Sequence, residues 1–341
     1  MNNIAFLYLT IDTPNKSIDY LIKNNYNIYI HPKNKIDKKY KKFIINKIIE
    51  TSWGTYSLVL ATINLLKAAL KNTNNNYFIL CSGDCFLLRK EIKYEGLSCF
   101  DFIKINNEYY KTAQWWILNK IDAITIVKTI NKYKYLQNIK FEGAIDEYYF
   151  LTVLMNENKN YKYNNFNYMF KRWLKITITK NPMIFNKLTN YDIIDIKKEK
   201  PFFIRKVLST FTIKEYKNKK VLYILLIGTE SNNLNYFINN DLDLIIFSVI
   251  EIKNINKELL NKCICIIPII FKFYYLSILD LCTSYKKYLK QWDTVYFINE
   301  TFNIKENNNI IEKNKVKLPI KSEYNKEIFY KLDDYNFYIT N

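Results

Sequence analysis

The chain has 341 residues, 49% of them hydrophobic and 17% aromatic, and carries 51 Lys and Arg against 32 Asp and Glu, a formal charge of +19. That length holds one large core or two ordinary ones, at roughly 150 residues per domain, and the apolar content excludes a disordered protein. Asn, Lys, Ile, Tyr and Phe, all with A/T-rich codons, are abundant, whereas Gly (5) and Pro (6) are scarce, so the positive charge reads first as a codon-driven lysine surface.

The lysines are spread along the chain without a long basic block. A polyanion-binding groove and a focused pocket for a phosphorylated substrate remain as alternatives, separable only in three dimensions. Cys81, Cys85, Cys99, Cys263, Cys265 and Cys282 show neither a disulfide framework nor paired metal-ligand spacing, and read as reduced thiols. No signal peptide is expected, because Met1-Asn2-Asn3 lacks a positive region and Ile4 to Leu9 is short. The most apolar run, Cys263 to Leu281, is broken by Pro268, Lys272 and Asp280 and fails as a membrane span. A soluble, cytoplasmic protein is expected.

In chain order, Ile4 to Thr10 is apolar on both faces, as a strand in a parallel sheet would be. Ser17 to Asn24 predicts a helix, and Asn27 to Ile30 a strand ending at His31-Pro32. Phe43 to Ile49 suggests a short helix and strand. Leu58 to Leu70 has helical spacing with Ser57 as cap. Tyr77 to Leu80 is the next strand, and Phe100 to Ile105 another, while Ile121 to Ile130 and Glu147 to Met155 predict helices. A lysine-rich connector follows from about Ile213 to Lys220. The alternation then restarts with strands at Val221 to Ile227, Leu242 to Val249, Cys263 to Ile270 and Thr294 to Asn299. Helices are expected at Leu234 to Ile238, Lys257 to Lys262 and Tyr274 to Tyr288. The expectation is two α/β domains, residues 1–212 and 220–341.

Five segments carry the chemistry: His31-Pro32-Lys33 at a strand end, Trp53-Gly54 before a helix, Ser82-Gly83-Asp84 after a strand, Lys111 to Trp116 (KTAQWW), and Gly143 to Leu154 (GAIDEYYFLTVL), followed by Phe203-Ile204-Arg205-Lys206. In order and type they resemble the core-2/I-branching glycosyltransferases, glycosyltransferase family 14, which includes the peptide O-xylosyltransferases. That family shows V-H-x-D-K, W-G-x-x-S, L-S-G-x-D, G-S-Q-W-W, D-E-x-x-F-x-T and F-A-R-K in this sequence, and the similarity spans roughly residues 1 to 208. The chain departs from it where Pro32 replaces an Asp and Thr112-Ala113 replaces Gly-Ser.

The resemblance implies a GT-A-like mixed sheet flanked by helices, with inverting transfer of N-acetylglucosamine or xylose from a UDP-sugar to an acceptor hydroxyl. Glu147 is then the general base; chemistry agrees, since a hydroxyl needs a positioned carboxylate to take its proton as it attacks. Asp146 beside it is read as the cap of the following helix, at the edge of the substrate site. Departing UDP needs positive charge at its phosphate, which the family provides without a metal. Lys206 and Arg205 are the matching cations, one a point charge and one able to bind bidentately. His31, Trp53 and Asp84 would surround the nucleotide-sugar, Asp84 either holding sugar hydroxyls or accepting backbone N–H groups. Gln114 and Trp115 would meet the donor or acceptor, with one of Trp115 and Trp116 in the core. Arg172-Trp173 and Asn181-Pro182 fall near the family's variable acceptor region.

No cofactor is expected. Asp241-Leu242-Asp243 opens a strand, where a GT-A metal turn would follow one, and Gly228-Thr229-Glu230-Ser231 has too few glycines for a phosphate loop. The expected partners are a nucleotide-sugar and a glycan or protein hydroxyl. Rival readings are a non-catalytic, basic nucleic-acid-binding protein and an inactive transferase fold kept as a binding module.

Overall fold

The computed structural model describes residues 3–101, 103–106, 108–173, 182–211, 213, 221–227, 243–248, 254–268, 294–299 and 337–340. Two compact units divide the chain: Met1–Phe170 with Glu199–Arg205, and Lys171–Lys198 with Lys206–Asn341. The sequence connector had suggested 1–212 and 220–341 instead.

The first unit is a mixed sheet of six strands in the order β2-β1-β3-β8-β5-β9. Its centre is β1 (Ile4–Thr10), parallel to β2 (Asn27–Pro32) on one side and β3 (Tyr77–Ser82) on the other. Ala5, Phe6 and Leu7 are wholly buried, which is why this run has no polar alternation. Beyond β3 the sheet turns antiparallel through β8 (Trp116–Asn119) and β5 (Cys99–Phe100), and β9 (Asn164–Asn165) adds parallel to β5. A three-stranded sheet joins β10 (Met169–Phe170), β12 (Phe203–Arg205) and β4 (Cys85–Leu87), and β6 (Lys104–Asn106) pairs with β7 (Tyr109–Lys111). The single strand expected at 100–105 is thus two short strands in different sheets. Between them the Asp101 carbonyl accepts a hydrogen bond from Ala113 N–H (2.7 Å) instead of a ladder partner.

Helix α1 (Ile18–Lys23) returns the chain from β1 to β2. Residues 38–43 form a 3-10 turn, and Ile44 makes only an isolated bridge to Ile30, so no strand follows there. Helix α2 (Tyr56–Ala69) packs on β1 and β2. Its cap position is Thr55; Ser57, expected to cap it, instead accepts a hydrogen bond from Ser52 N–H (3.0 Å). The Asn119 side chain caps α3 (Lys120–Thr129) by accepting from Asp122 N–H (2.9 Å). Helix α4 (Asp146–Glu157) packs on α2, α3 and β7, burying Phe150 against Trp116 and Tyr149 against Tyr56.

The second unit has its own six-stranded sheet, β11-β15-β14-β13-β16-β17. Strands β13 (Val221–Ile227), β14 (Asp243–Ser248), β15 (Cys265–Pro268) and β16 (Thr294–Asn299) run parallel. Antiparallel edges are supplied by β11 (Ile184–Phe185) and by β17 (Phe337–Thr340), the latter from the polar tail where no strand was expected. The edge strand β11 explains the division of the chain: residues 171–198 leave the first unit to pair with β15. This excursion also forms α5 (Asn190–Glu199), begun by a reciprocal capping box. Thr189 Oγ1 accepts from Asp192 N–H (3.3 Å), and Asp192 Oδ2 accepts from Thr189 N–H (3.0 Å). Helix α6 (Lys257–Lys262) lies where predicted, whereas 234–238 and 274–288 fall outside the described residues. Among the described residues no helix is long and apolar enough to cross a membrane.

Candidate active site

At the carboxyl end of β3 the turn Ser82-Gly83-Asp84 is pressed against the end of β1. Gly83 N–H donates to the Leu9 carbonyl (3.1 Å), and the Gly83 carbonyl accepts from Asn15 N–H (2.8 Å). A Cβ on Gly83 would lie 2.0 Å from Thr10 Oγ1, so only glycine fits. The turn then delivers Asp84 to β4, and β12, antiparallel to β4, sets Arg205 opposite Cys85. Arg205 Nε donates to Asp84 Oδ1 at 3.0 Å, and its guanidinium carbon lies 4.8 Å from the Trp115 ring centroid. Asp84 thus anchors a cation, a role beyond the two the sequence suggested. Buried Trp115 is the aromatic floor beneath it, and Trp116 is the core member of the pair, its ring tilted against Phe150 with centroids 5.0 Å apart.

The other half of the site is the start of α4. Ile145, not Asp146, occupies the cap position, and no side chain caps the helix there. Asp146 already lies in the first turn, 3% exposed, with Oδ1 lacking a hydrogen-bond partner among the described residues. Burial, with the charge of Glu147 adding, pushes its carboxyl up to about 7, while a hydrogen bond from the Gln114 side chain works in the opposite direction. Glu147, its side chain 31% exposed, faces Lys111, whose Nζ is 3.5 Å from Oε2. Both carboxylates sit where the helix dipole favours negative charge.

Residues 111–115 join the halves. Lys111 meets the Glu147 carboxylate, Thr112 N–H donates to the Glu147 carbonyl (2.7 Å), Gln114 bonds Asp146, and Trp115 lies under Arg205. The short segment 112–115, at most about 10 Å long when extended, thus contacts Glu147 at one end and Arg205 at the other. Lys111 is the residue that sequence reasoning passed over; its signal was a cation directly preceding the Gln-Trp-Trp run.

The turn Trp53-Gly54 adjoins the same helix start, because the Gly54 carbonyl accepts from Ile145 N–H (3.4 Å). Trp53 is 71% exposed there. His31 is buried at the end of β2; its Nε2 accepts from Ile49 N–H (3.2 Å), and burial lowers its proton affinity. Lys206 directly follows β12 but falls in the second unit, where its carbonyl accepts from Phe185 N–H (2.8 Å).

In the second unit Arg172 is clamped by Asp192 (Nε to Oδ1, 2.7 Å) and Asp195 (Nη2 to Oδ2, 2.9 Å), an internal network at the start of α5. Asp243 is buried at the head of β14; Asn181, Gly228 to Ser231, Asp241 and Leu242 lie outside the described residues. Cys81, Cys85, Cys99, Cys263 and Cys265 are buried and not disulfide-bonded, and Cys282 lies outside the described residues.

A carboxylate at a helix start and a guanidinium beside the strand-end turn of an α/β sheet fit group transfer, and residues 4–95 match a family model. The family whose description that match carries is the core-2/I-branching enzymes, so the resemblance read from the motifs is shown over this stretch. No curated protein matches the sequence. Among solved structures, a glycosyltransferase involved in the glycosylation of the major capsid of PBCV-1 is similar over 60% of this chain and 92% of its own, with 13% identity and a TM-score of 0.32. The apo-form glycosyltransferase GlyE of Streptococcus pneumoniae TIGR4 is similar over 96% and 94%, with 10% identity and a TM-score of 0.30.

Proposed function

We propose that the enzyme transfers N-acetylglucosamine or xylose from a UDP-sugar to an acceptor hydroxyl, with inversion and without a metal. The observation that carries this reading is the strap 111–115, which contacts Glu147 through Lys111 and Arg205 through Trp115. Glu147 takes the proton of the acceptor hydroxyl as its oxygen attacks the anomeric carbon from the face opposite the leaving group. The bond to UDP breaks with its electron pair going to the β-phosphate oxygen, and Arg205 meets that charge. Such a preorganised donor is worth roughly 3 kcal/mol in the transition state.

Metal independence is supported by the occupation of Asp84. Its carboxylate already pairs with Arg205, and a divalent ion bound there would meet the guanidinium as a like charge. Exposed Trp53, beside the start of α4, offers a face to a sugar ring.

The test measures UDP release from UDP-GlcNAc and UDP-xylose in the presence of EDTA. Turnover should persist, and Glu147→Gln should lower it at least a hundredfold while UDP-sugar binding by thermal shift is retained. Loss of turnover on chelation would refute the metal-free assignment, and an active Glu147→Gln enzyme would refute the base.

A further inference from the structure

Lys111 is held by three features that have no other evident purpose. It stands at the end of β7, its Nζ donates to the Glu142 carbonyl at 3.1 Å, and it lies 5.6 Å from the centroid of the Tyr148 ring. That ring is itself fixed, stacked on Phe141 with centroids 4.4 Å apart, and its hydroxyl donates to the same Glu142 carbonyl at 3.3 Å. The ammonium is therefore delivered to Glu147 Oε2, 3.5 Å away, by a cradle built from β7, the 141–143 turn and α4.

The turn is shaped to admit it. Gly143 has φ +122°, and a Cβ at that position would approach Lys111 Nζ to 3.2 Å and Glu147 Oε2 to 3.6 Å. Glycine here leaves the space that the ion pair fills.

We propose that Lys111 is a positioning residue for the reaction, fixing the Glu147 carboxylate in place and keeping it ionised at neutral pH against the negative charge crowded around it. The inference rests on the proposed role of Glu147 as base. Three acidic groups lie within one turn of chain: Glu142 on the turn, Asp146 on α4, and Glu147 itself. Asp146 is buried beside the base and titrates near neutrality, so its ionisation would raise the proton affinity of Glu147. Tyr148 is the remaining titratable neighbour, and burial keeps its phenol neutral. Lys111 forms an ion pair with Glu147 and so opposes these charges. Its own partial exposure allows the pair to loosen as the base takes up a proton and loses its charge.

The decisive variants are Lys111→Met, which keeps the stem and removes the charge, and Lys111→Arg, which keeps the charge. Lys111→Met should move the acidic limb of the kcat/KM pH profile upward by about one unit, the lower end expected for an opposite charge at this range. It should reduce kcat/KM by up to about tenfold at pH values below the limb and much less above it, with UDP-sugar binding unchanged by calorimetry. Lys111→Arg should restore the position of the limb. A purely structural lysine would lower activity equally at every pH, and that result would overturn the inference, as would an unmoved limb in a folded Lys111→Met enzyme. Glu147→Gln separates the two failures. If it remains active, the base assignment falls; if it is inactive while the Lys111→Met limb stays in place, only the role of Lys111 falls.

Discussion

Replacing Asp146 by Asn removes a carboxyl that is 3% exposed, has an oxygen without a partner among the described residues, and is pushed up to about 7 by burial. In the unfolded chain the same group titrates near its ordinary value of about 4. Between about pH 4 and 7 the folded protein therefore binds a proton that the unfolded chain has released. This contribution to stability is full below about pH 4, falls as pH rises, and is lost above about pH 7. A difference of about three units corresponds to a ceiling on the order of 4 kcal/mol. Asn keeps the shape and the contact with Gln114 but cannot ionise. Urea unfolding of both proteins at pH 5 and pH 8, read as the difference in midpoint at constant slope, should show the variant gaining stability relative to the parent by a few kcal/mol at the higher pH. Other titrating groups cancel in that comparison. An equal gap at the two pH values would refute the reasoning, because it would mean that Asp146 is ionised at no cost in the fold.

Gly83→Ala should destabilise by about 1–3 kcal/mol, because its Cβ would overlap Thr10 on the neighbouring strand; a thermal melt within 1 °C of the parent, against the several degrees such a loss costs, would contradict the close approach. Arg205→Lys should reduce kcat at least tenfold without unfolding, since an ammonium cannot keep both the Asp84 hydrogen bond and the guanidinium's contact over the Trp115 ring; steady-state kinetics at saturating donor check this. Arg172→Met should cost about 3–5 kcal/mol in chemical denaturation of the second unit, because it strands wholly buried Asp192, and a loss below 1 kcal/mol would show that the clamp is dispensable.

Much of the site was legible because its residues are tied to short-range chain geometry. An apolar run without alternation marks β1 and β3 as doubly buried strands, and a small turn after β3 must fall at the sheet's carboxyl edge, so Asp84 could be placed from order alone. Helices α3 and α4 were placed to within a residue or two by their apolar period. The Asp146-Glu147 pair was placed at the start of α4, but the cap role expected for Asp146 is not what the structure shows. Asp146 was expected to cap the helix, whereas Ile145 holds that position and the carboxyl is buried within the first turn. Burial is a property of what packs over a residue, and no spacing rule reports it.

By itself the sequence determined the alternating α/β plan of both sheets, the family likeness and the identity of the acidic and basic groups, because hydrophobic period and motif order act within a few turns of chain. Tertiary structure alone decided which groups meet. Arg205 reaches Asp84 from 121 residues away along the chain, Lys111 crosses from a hairpin to Glu147, and residues 171–198 leave one sheet to edge another. Those choices depend on long-range strand pairing and on the buried area it creates, where the energy is shared among segments that no local pattern links.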